Sequence, residues 1–512
     1  MSFDIPTLQA ELERILISRC FRSRKVLQKF LRYIVEESLA GNAIHITQQN
    51  IAIHGLGRHK SFDNIDNPLV RVQAGRLRKQ LEDYYATEGR FNPIRIELPM
   101  GSYRPEFHQH ISVPAEPEHY LSQGPSVVCL PRTFITDTAL GWSFISRVTR
   151  DYVIALTQFA HCQVKFADET PWQQANWPQD AWLHYNADFA LFFDLHTEKN
   201  GYGLKCSLVH RHNNQIVWAH SFALNDSAPE PTTLHAMFKR IAHDTISTEC
   251  GIAQDYWVRE LLASGAPIAP HHQVVVAFSQ YARDVTHTNF CISLRACEQR
   301  LAQFPQDTLT LIIYANLCRA DYLLKYHEIT PLLPRLNAVV DTLLQVAPNN
   351  AYSYLFLAML HLLTGNDDEC LAALQQAQAI NSLDTTLNLL TGLIHIGLED
   401  WQTGIELIQD SITISINHPD WYHIPVCLYH YREGRYLAAM QEAKKVRIKH
   451  LWGPMLRTAL DQFNDLHERR ALEYQQFVDE YPDFAQKGQT LAQGLPQETN
   501  HIVSQLLSKI PM

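Results

Sequence analysis

The stretch from Asn67 to Phe107 has the clearest pattern of hydrophobic and polar positions in the chain. When successive residues are placed about 100° apart, as in an α-helix, six apolar residues fall within one arc about 100° wide. This pattern predicts a helix that packs one face against a core. Pro68 suits its first turn and Gly89 suits its end. The six apolar residues are Val70, Ala74, Leu77, Leu81, Tyr84 and Tyr85.

The opposite face of this predicted helix mixes cations with small side chains. Arginine and lysine bind phosphates and guanine edges, and small residues let a helix approach a groove closely. Gly75 costs an exposed helix about 1 kcal/mol relative to alanine, which favours a close approach at that point. We therefore expect a DNA-binding surface formed by Arg71, Val72, Gly75, Arg76, Arg78 and Lys79.

A short β-hairpin is predicted directly after the helix. Apolar residues at every second position from Ile94 to Leu98 indicate a strand with one buried face. Pro99-Met100-Gly101 is typical of a turn, after which residues 102–107 can return as a second strand. Arg95 and Arg104 would then reach backbone phosphates. A helix followed by a hairpin is how a winged-helix DNA-binding domain presents its recognition helix and wing.

Further helices are predicted upstream. Apolar residues recur at helical spacing within residues 23–39, Gly41 ends that helix, and Thr47 could cap a short helix running to His54. The alternative for all these cations is that they cover ordinary solvated helix faces. The upstream cations form a run that contains no acid: Arg19, Arg22, Arg24, Lys25, Lys29 and Arg32.

The string VRVQAGRLRKQLEDYY resembles the recognition helix of response-regulator-type winged helices. The longer string that runs from FLRYIVEESLAG to IRIELPMGSYRPEF resembles more closely a bacterial group of transcriptional regulators, and the match covers about residues 10–107. In that group the winged helix precedes an adenylate-cyclase-associated α/β module and tetratricopeptide repeats. The resemblance implies that Arg71, Arg76, Arg78 and Lys79 face DNA and that Gly101 and Tyr103 shape the wing. Gly75 departs from the group, which often has serine or another small polar residue there.

The middle of the chain alternates strand and helix patterns. Residues 108–124 are polar and proline-containing, which predicts a linker. Short apolar runs predict strands at 127–130, 163–167, 187–195, 204–211 and 215–224, with an amphipathic helix over 140–159. We expect an α/β sandwich with one helical face over residues 125–265. SVVCLPR and IVWAHSFAL resemble the cyclase-associated module, although no catalytic motif is carried over. His210 and His212 share one strand face, where solvated histidines are favoured over a metal pair.

From residue 270 to 512 the chain is predicted to be helical. Ala358 and Gly392 are 34 positions apart, and Gly365 and Gly434 are separated by about two such periods. This spacing, and the segment REGRYLAAMQEA, resemble tetratricopeptide repeats, which implies four to six helical hairpins between 270 and 490. Stacked hairpins form a solenoid with a concave groove for a peptide or protein partner. The aromatic residues Trp401, Trp421 and Tyr422 could line that groove or pack between helices.

Composition adds a charge asymmetry to this picture. The chain has 512 residues, 46% of them hydrophobic and 19% charged, which suits three or four globular domains. Its net charge is −10, yet residues 1–107 contain 16 Lys and Arg against 12 Asp and Glu. The remainder contains 27 against 41. A basic N-terminal domain on an acidic body suits local contact with a polyanion.

No sequence motif predicts catalysis. The chain lacks the patterns GxxxxGK[ST], GxGxxG, HExxH and GxSxG, so we expect no enzyme, catalytic residue, metal site or cofactor. The ten cysteines are scattered without a CxxC pair, which favours reduced thiols and a cytoplasmic location. No leader segment and no apolar run long enough to span a membrane is recognised.

The predicted fold is multidomain α + α/β, with a winged helix (1–107), a linker (108–124), an α/β sandwich (125–265) and a C-terminal α-solenoid (270–512). The main functional hypothesis is a bacterial transcriptional regulator that binds double-stranded DNA and senses a signal or protein partner through its body. A homodimer would fit paired half-sites. The alternative is a scaffold or adaptor protein that binds protein through its repeats and does not bind DNA.

Overall fold

The computed structural model describes most of the chain. The chain forms two compact units, residues 1–120 and 121–512. The residues that it does not describe are 1–4, 23, 58–68, 87–93, 100, 110–120, 135–137, 167–186, 199–200, 212, 225–229, 250, 266, 415–417, 462–474, 476, 480, 482–483 and 511–512. Predictions for Pro68, Gly89, Met100 and His212, and for most of the linker, lie outside the described residues. The three domain boundaries stay predictions.

The N-terminal unit contains helices and a two-stranded antiparallel sheet. In the sheet, Ile94 pairs with Gln109 and Glu97 pairs with Glu106. The second strand begins at Glu106 and not at Ser102, because the backbone N–H of Ser102 bonds the Pro99 carbonyl within the turn. The elements are α1 (Ile5–Ile17), α2 (Arg19–Arg22), α3 (Lys25–Leu39), α4 (Gln48–Asn50), α5 (Leu69–Ala86), β1 (Ile94–Glu97) and β2 (Glu106–Gln109).

The core of this unit lies between α3, α5 and β1. Phe30 and Ile34 of α3 are fully buried, as are Leu77 of α5 and Ile96 of β1. All six apolar residues predicted to form the inner face of α5 are buried. The helical periodicity of the sequence therefore identified the correct face of this helix.

The second unit begins with a five-stranded sheet in the order β4-β3-β5-β6-β7. Strand β3 is parallel to β4 and β5, whereas β5, β6 and β7 are antiparallel. The segment from Phe189 to Phe193 is apolar and buried throughout, as expected for a strand with neighbours on both sides. The elements are β3 (Ser126–Thr133), α6 (Thr138–Leu156), β4 (Gln163–Phe166), β5 (Phe189–Glu198), β6 (Gly201–His210) and β7 (Ile216–Leu224).

One face of the sheet shares a continuous apolar core with helices. Tyr152 of α6 packs against Phe193 and Phe238, with ring centroids 5.3 and 5.2 Å apart. His210 is buried and lies 2.8 Å from Glu260, so it is not the solvated histidine that the sequence suggested. The helices that follow the sheet are α7 (Pro231–Ile246) and α8 (Ile252–Ala263).

A solenoid of consecutive helix pairs makes up most of the second unit. Gly365 and Gly434 end helices in the left-handed conformation, with φ of 75° and 71°, which explains their spacing. Gly392 and Gly404 lie where two helices cross, because a Cβ on Gly392 would be 2.6 Å from the Gly404 carbonyl oxygen. The helices are α9 (Pro270–Arg283), α10 (His287–Gln303), α11 (Thr308–Leu324), α12 (Leu332–Val346), α13 (Ala351–Thr364), α14 (Asp367–Ile380), α15 (Thr385–Gly397), α16 (Trp401–Ile414), α17 (His423–Arg432), α18 (Tyr436–Lys445), α19 (Trp452–Leu460), α20 (Phe484–Ala492) and α21 (Gln497–Ser508).

The predicted helical-repeat solenoid is confirmed, and α9 to α18 form five successive pairs among the described residues. Polar side chains cap several of these helices: Asp307, Asn350 and Asp384 each accept a bond from a backbone N–H in the first turn. None of the nine cysteines in the described part of the chain forms a disulfide. Among these same residues, no helix combines the length and apolar character needed to cross a bilayer.

Candidate functional site

A cleft of about 580 Å³ opens on the solenoid. Its walls come from the end of α11, the start of α12, the end of α13, the start of α14, the end of α15 with the turn after it, and residues 494–497. No single helix forms this cleft, because its walls come from three helix pairs and from residues 494–497. Its volume lies within the range of about 300–1,000 Å³ that is usual for ligand sites.

Six leucines line the cleft, and none of them is fully buried. Leu333, at the start of α12, leaves 40% of its surface exposed. The others are half-buried, and they include adjacent pairs at the start of α12 and the end of α13. All six leucines but Leu333 also pack against the core of the unit, so only part of their surface faces the cleft. They therefore leave apolar surface available to a ligand. The six are Leu332, Leu333, Leu362, Leu363, Leu398 and Leu495.

The cleft also has acidic groups at its edge. Asp367 lines it from the first turn of α14, where a negative charge is favourable, and Asp368 and Glu369 follow directly. Within the part of the chain that the structure describes, these three carboxylates form no ion pair. Glu399, on the wall after α15, accepts a hydrogen bond from the backbone N–H of Glu498 (3.2 Å). The cleft thus combines an apolar surface with a negative edge.

Residues 494–497 and the first turn of α21 are held in place by hydrogen bonds to other helices. The Tyr322 hydroxyl donates to the carbonyl of Gly494. Glu498 accepts from the Trp401 indole at 2.8 Å and from the Arg432 guanidinium at 2.7 Å. Lys325 lies 4.3 Å from the centroid of the Tyr322 ring, and burial lowers the pKa of its ammonium to about 8. Above that pH this region loses a positive charge.

The predicted DNA-binding residues of α5 do not all face solvent. Arg71, Val72, Gly75, Arg76 and Lys79 are exposed. A Cβ on Gly75 would meet no atom within 4 Å, so packing does not require glycine there.

Arg78 belongs to the architecture of the N-terminal unit. Its guanidinium donates to the backbone carbonyls of Leu98 (2.8 Å), Pro99 (2.9 Å) and Ser102 (2.9 Å). The prediction that Arg78 faces DNA did not anticipate these contacts. They form because the turn after β1 presents three carbonyls that need a donor. The side chain of Arg78 fixes the hairpin to the helix.

The two arginines predicted on the hairpin have different environments. Arg95 is half-buried, 3.8 Å from Glu97 and 5.5 Å from the centroid of the Tyr85 ring. Arg104 is exposed. Only one of the two therefore presents an open cation.

The aromatic residues suggested for the groove pack between helices instead. Trp401 and Tyr422 are buried, and Trp421 is half-buried with the Arg319 guanidinium 5.3 Å from its ring. None of the three lines the cleft. The cleft is formed instead by adjacent leucines at the helix ends. In the sequence they are visible as the leucine pairs at 332–333 and 362–363.

No protein-family model and no curated protein matches the chain. Solved structures are similar to it at low identity. A structure of the APC/C hetero-tetramer Cut9-Hcn1 matches 52% of this chain, with 14% identity and a TM-score of 0.34. The chain spans about half (49%) of that Cut9-Hcn1 chain.

Two shorter solved structures match over most of their own length. YrrB, described as a TPR protein with an unusual peptide-binding site, matches 38% of this chain and 95% of its own, with 15% identity and a TM-score of 0.26. MamA matches 33% of this chain and 91% of its own, with 18% identity and a TM-score of 0.21. The five helix pairs from α9 to α18 support the helical-repeat part of the sequence resemblance, and no finding supports its response-regulator and cyclase-associated parts.

The main prediction, a DNA-binding transcriptional regulator, is wrong. The repeats make up most of the larger unit, and Arg78, one of the six cations expected on DNA, is bound within the protein. These findings favour the alternative prediction, a repeat scaffold.

Proposed function

We propose that the protein is a helical-repeat scaffold or adaptor whose cleft binds a short peptide segment of a partner protein. The observation that carries this proposal is the convergence of six incompletely buried leucines with acidic groups in one cleft of about 580 Å³. Burying apolar surface contributes about 25 cal/mol per Å², so the leucines supply affinity for apolar side chains.

The acidic edge selects the charge of the partner. Asp367 and its two acidic neighbours attract a Lys or Arg that follows the apolar side chains of the peptide. The rest of the chain beyond residue 107 is also acidic, with 27 basic against 41 acidic residues. The partner segment is therefore apolar and basic.

We propose binding without catalysis at this cleft. The described residues that line it include no histidine, cysteine or serine, so a serine or cysteine nucleophile with a histidine base is missing from these walls. The N-terminal helix and hairpin, in the proposed winged-helix arrangement, would hold a protein surface through Arg71, Arg76 and Lys79. Within the described chain these three cations form no ion pair.

The test selects random peptides by display against the full chain and measures their binding by calorimetry. Leu333→Asp places a charge in the cleft and should weaken binding by at least about tenfold, equivalent to about 1.4 kcal/mol. Leu262→Asp is the matched control, because Leu262 is 39% exposed on α8 and does not line the cleft. Peptide binding by the Leu262→Asp variant should be unchanged.

The charge requirement is tested with the same peptides. Asp367→Asn should weaken basic peptides and leave neutral analogues unaffected, and added salt should reduce this difference. Equal binding by Leu333→Asp and the unmodified chain would show that peptides bind elsewhere, and the cleft proposal would then fail.

A further inference from the structure

A cluster of three metal-ligating side chains lies outside the cleft, between α10 and the loop that connects α11 and α12. His287 Nε2 is 2.8 Å from Glu328 Oε1 and 3.6 Å from Cys291 Sγ. One ligand atom from each of the three residues lies within 4.8 Å of the others. A nitrogen, a sulfur and a carboxylate oxygen therefore lie close to one another.

Two of the ligands come from successive turns of one helix. His287 and Cys291 are four residues apart on α10, so their side chains share a face. Thr286 caps this helix by accepting the backbone N–H of Asn289 (3.2 Å). The Asn289 side chain in turn donates to the Asp284 carbonyl (3.0 Å). These bonds fix the first turn of α10 and thereby the position of the imidazole.

The third ligand is fixed by a buried carboxylate. Asp321 accepts the backbone N–H groups of Glu328 (3.0 Å) and Ile329 (3.3 Å). Ile329 is fully buried and anchors the loop. The Tyr326 ring lies 5.1 Å from the His287 ring. These contacts fix the backbone of the loop, and the loop therefore places Glu328 next to α10.

We propose that His287, Cys291 and Glu328 bind one Zn²⁺ ion, with water in the fourth position. A tetrahedral zinc site separates its ligand atoms by about 3.3–3.6 Å, since Zn–N and Zn–O bonds are about 2.0–2.2 Å and Zn–S bonds about 2.3 Å. The observed sulfur–nitrogen distance of 3.6 Å meets this requirement. The nitrogen–oxygen distance of 2.8 Å needs a small opening, because a hydrogen bond now joins those atoms.

The donor set selects the metal. Imidazole and thiolate favour zinc over magnesium or calcium, which prefer all-oxygen sites. On binding, the metal replaces the proton between His287 and Glu328, and the Cys291 thiol releases its proton to solvent. The ion would join the first turn of α10 to the loop before α12. That loop continues into Leu332, so binding would restrain one wall of the cleft.

The test uses the full chain, stripped with a chelator and kept reduced, and titrated with Co²⁺ as a spectroscopic substitute for zinc. One equivalent per chain should produce a thiolate-to-cobalt charge-transfer band, and Zn²⁺ should remove that band by displacement. Cys291→Ser should abolish the band. His287→Ala should weaken Zn²⁺ binding by at least about tenfold, since even loss of a residue that only supports a ligand costs about 10–100-fold.

Cys20→Ser is the matched control, because Cys20 is also incompletely buried but lies in the other unit. This variant should keep the band and the affinity. A chain without the band, or a Cys291→Ser variant that retains it, would overturn the proposal. Zinc binding is measured without peptide, so the inference does not rest on the proposed function and can fail independently of it.

Discussion

The basic face of α5 and the leucine cleft of the solenoid differ in how many elements are needed to build them. The face of α5 is a property of one helix, and it exists as soon as that helix forms. The cleft needs helix ends from several repeats and a wall from residues 494–497. A pattern within one helix is therefore easy to find, although Arg78 shows that finding it does not establish its role.

The two regions also use their charges differently. On α5, Arg78 satisfies three carbonyls of the hairpin while its neighbours remain exposed. In the solenoid, the buried pair of Arg300 and Asp307 ties helices together, and the acids at the edge of the cleft remain open. A charged side chain used internally thus stabilises each region, and the charges left outside have opposite sign.

The largest effect is expected from breaking the buried pair of the solenoid. Asp307 accepts from Arg300 Nε (2.8 Å) and from the backbone N–H of Ser122 (2.8 Å), and it caps α11. Asp307→Ala leaves a buried guanidinium unpaired, so it should lower the free energy of unfolding by about 3–5 kcal/mol. Denaturant unfolding followed by circular dichroism measures this change.

The control for that experiment breaks an exposed pair in the same solenoid. Glu298 and Arg335 lie 3.0 Å apart with 46% and 43% of their side chains exposed. Glu298→Ala should cost no more than about 1 kcal/mol. If both variants lost the same stability, burial would not explain the importance of Asp307.

An intermediate effect is expected on the hairpin of the N-terminal unit. Arg78→Ala removes three charged hydrogen bonds to backbone carbonyls and should cost about 1.5–3 kcal/mol. Amide hydrogen exchange should accelerate along Ile94–Glu97. Lys79→Ala, one position along the same helix but exposed, should stay within about 0.5 kcal/mol. Unchanged exchange in Arg78→Ala would mean that apolar packing alone holds the hairpin.

A smaller, pH-dependent effect is expected in the pair of α17 and α18. Partial burial acts to raise the pKa of Glu442, but hydrogen bonds from His423 (2.7 Å) and Lys445 (2.7 Å) outweigh it and lower the pKa to about 2. A lowered carboxyl pKa stabilises the fold above the unfolded value of about 4.3. This contribution is lost as the pH falls from that value towards 2.

Glu442→Gln tests this expectation. The variant should be less stable at neutral pH by about 1–2 kcal/mol, and the difference should shrink during acid titration below pH of about 4. The N-terminal hairpin, followed by hydrogen exchange, should not respond to the substitution. A stability difference that stayed constant down to pH of about 2 would contradict the assigned role of the carboxylate.

The sequence predicted those features that depend on near neighbours along the chain. The six apolar residues of α5 are buried, the glycines at 365 and 434 end helices, and the strand patterns from 127 to 224 correspond to strands. Helical and strand periods are local, because side-chain direction repeats every few residues. The solenoid was predicted from a period near 34 and from a resemblance to tetratricopeptide repeats, in which each repeat is one helical hairpin of residues close in the chain.

The candidate sites could not be predicted in this way. Leu333 and Leu398 are 65 positions apart, and only the stacking of repeats places both in one cleft. His287 and Cys291 have a recognisable spacing, but Glu328 reaches them through a loop fixed by Asp321. The sequence predicted no metal site, because its third ligand was not identifiable from spacing.

The amino-acid sequence alone determined which residues form helices and strands, which of their faces are apolar, and that the C-terminal half repeats. Only the tertiary structure decided which polar groups are used internally and which remain open. The helical angle of Arg78 predicts that its side chain is exposed. In the structure the side chain donates hydrogen bonds to carbonyls that lie 20 to 24 residues away in the chain. A side chain binds whatever partner folding brings within hydrogen-bonding distance, and that distance is set by the packing of elements that are remote in the chain.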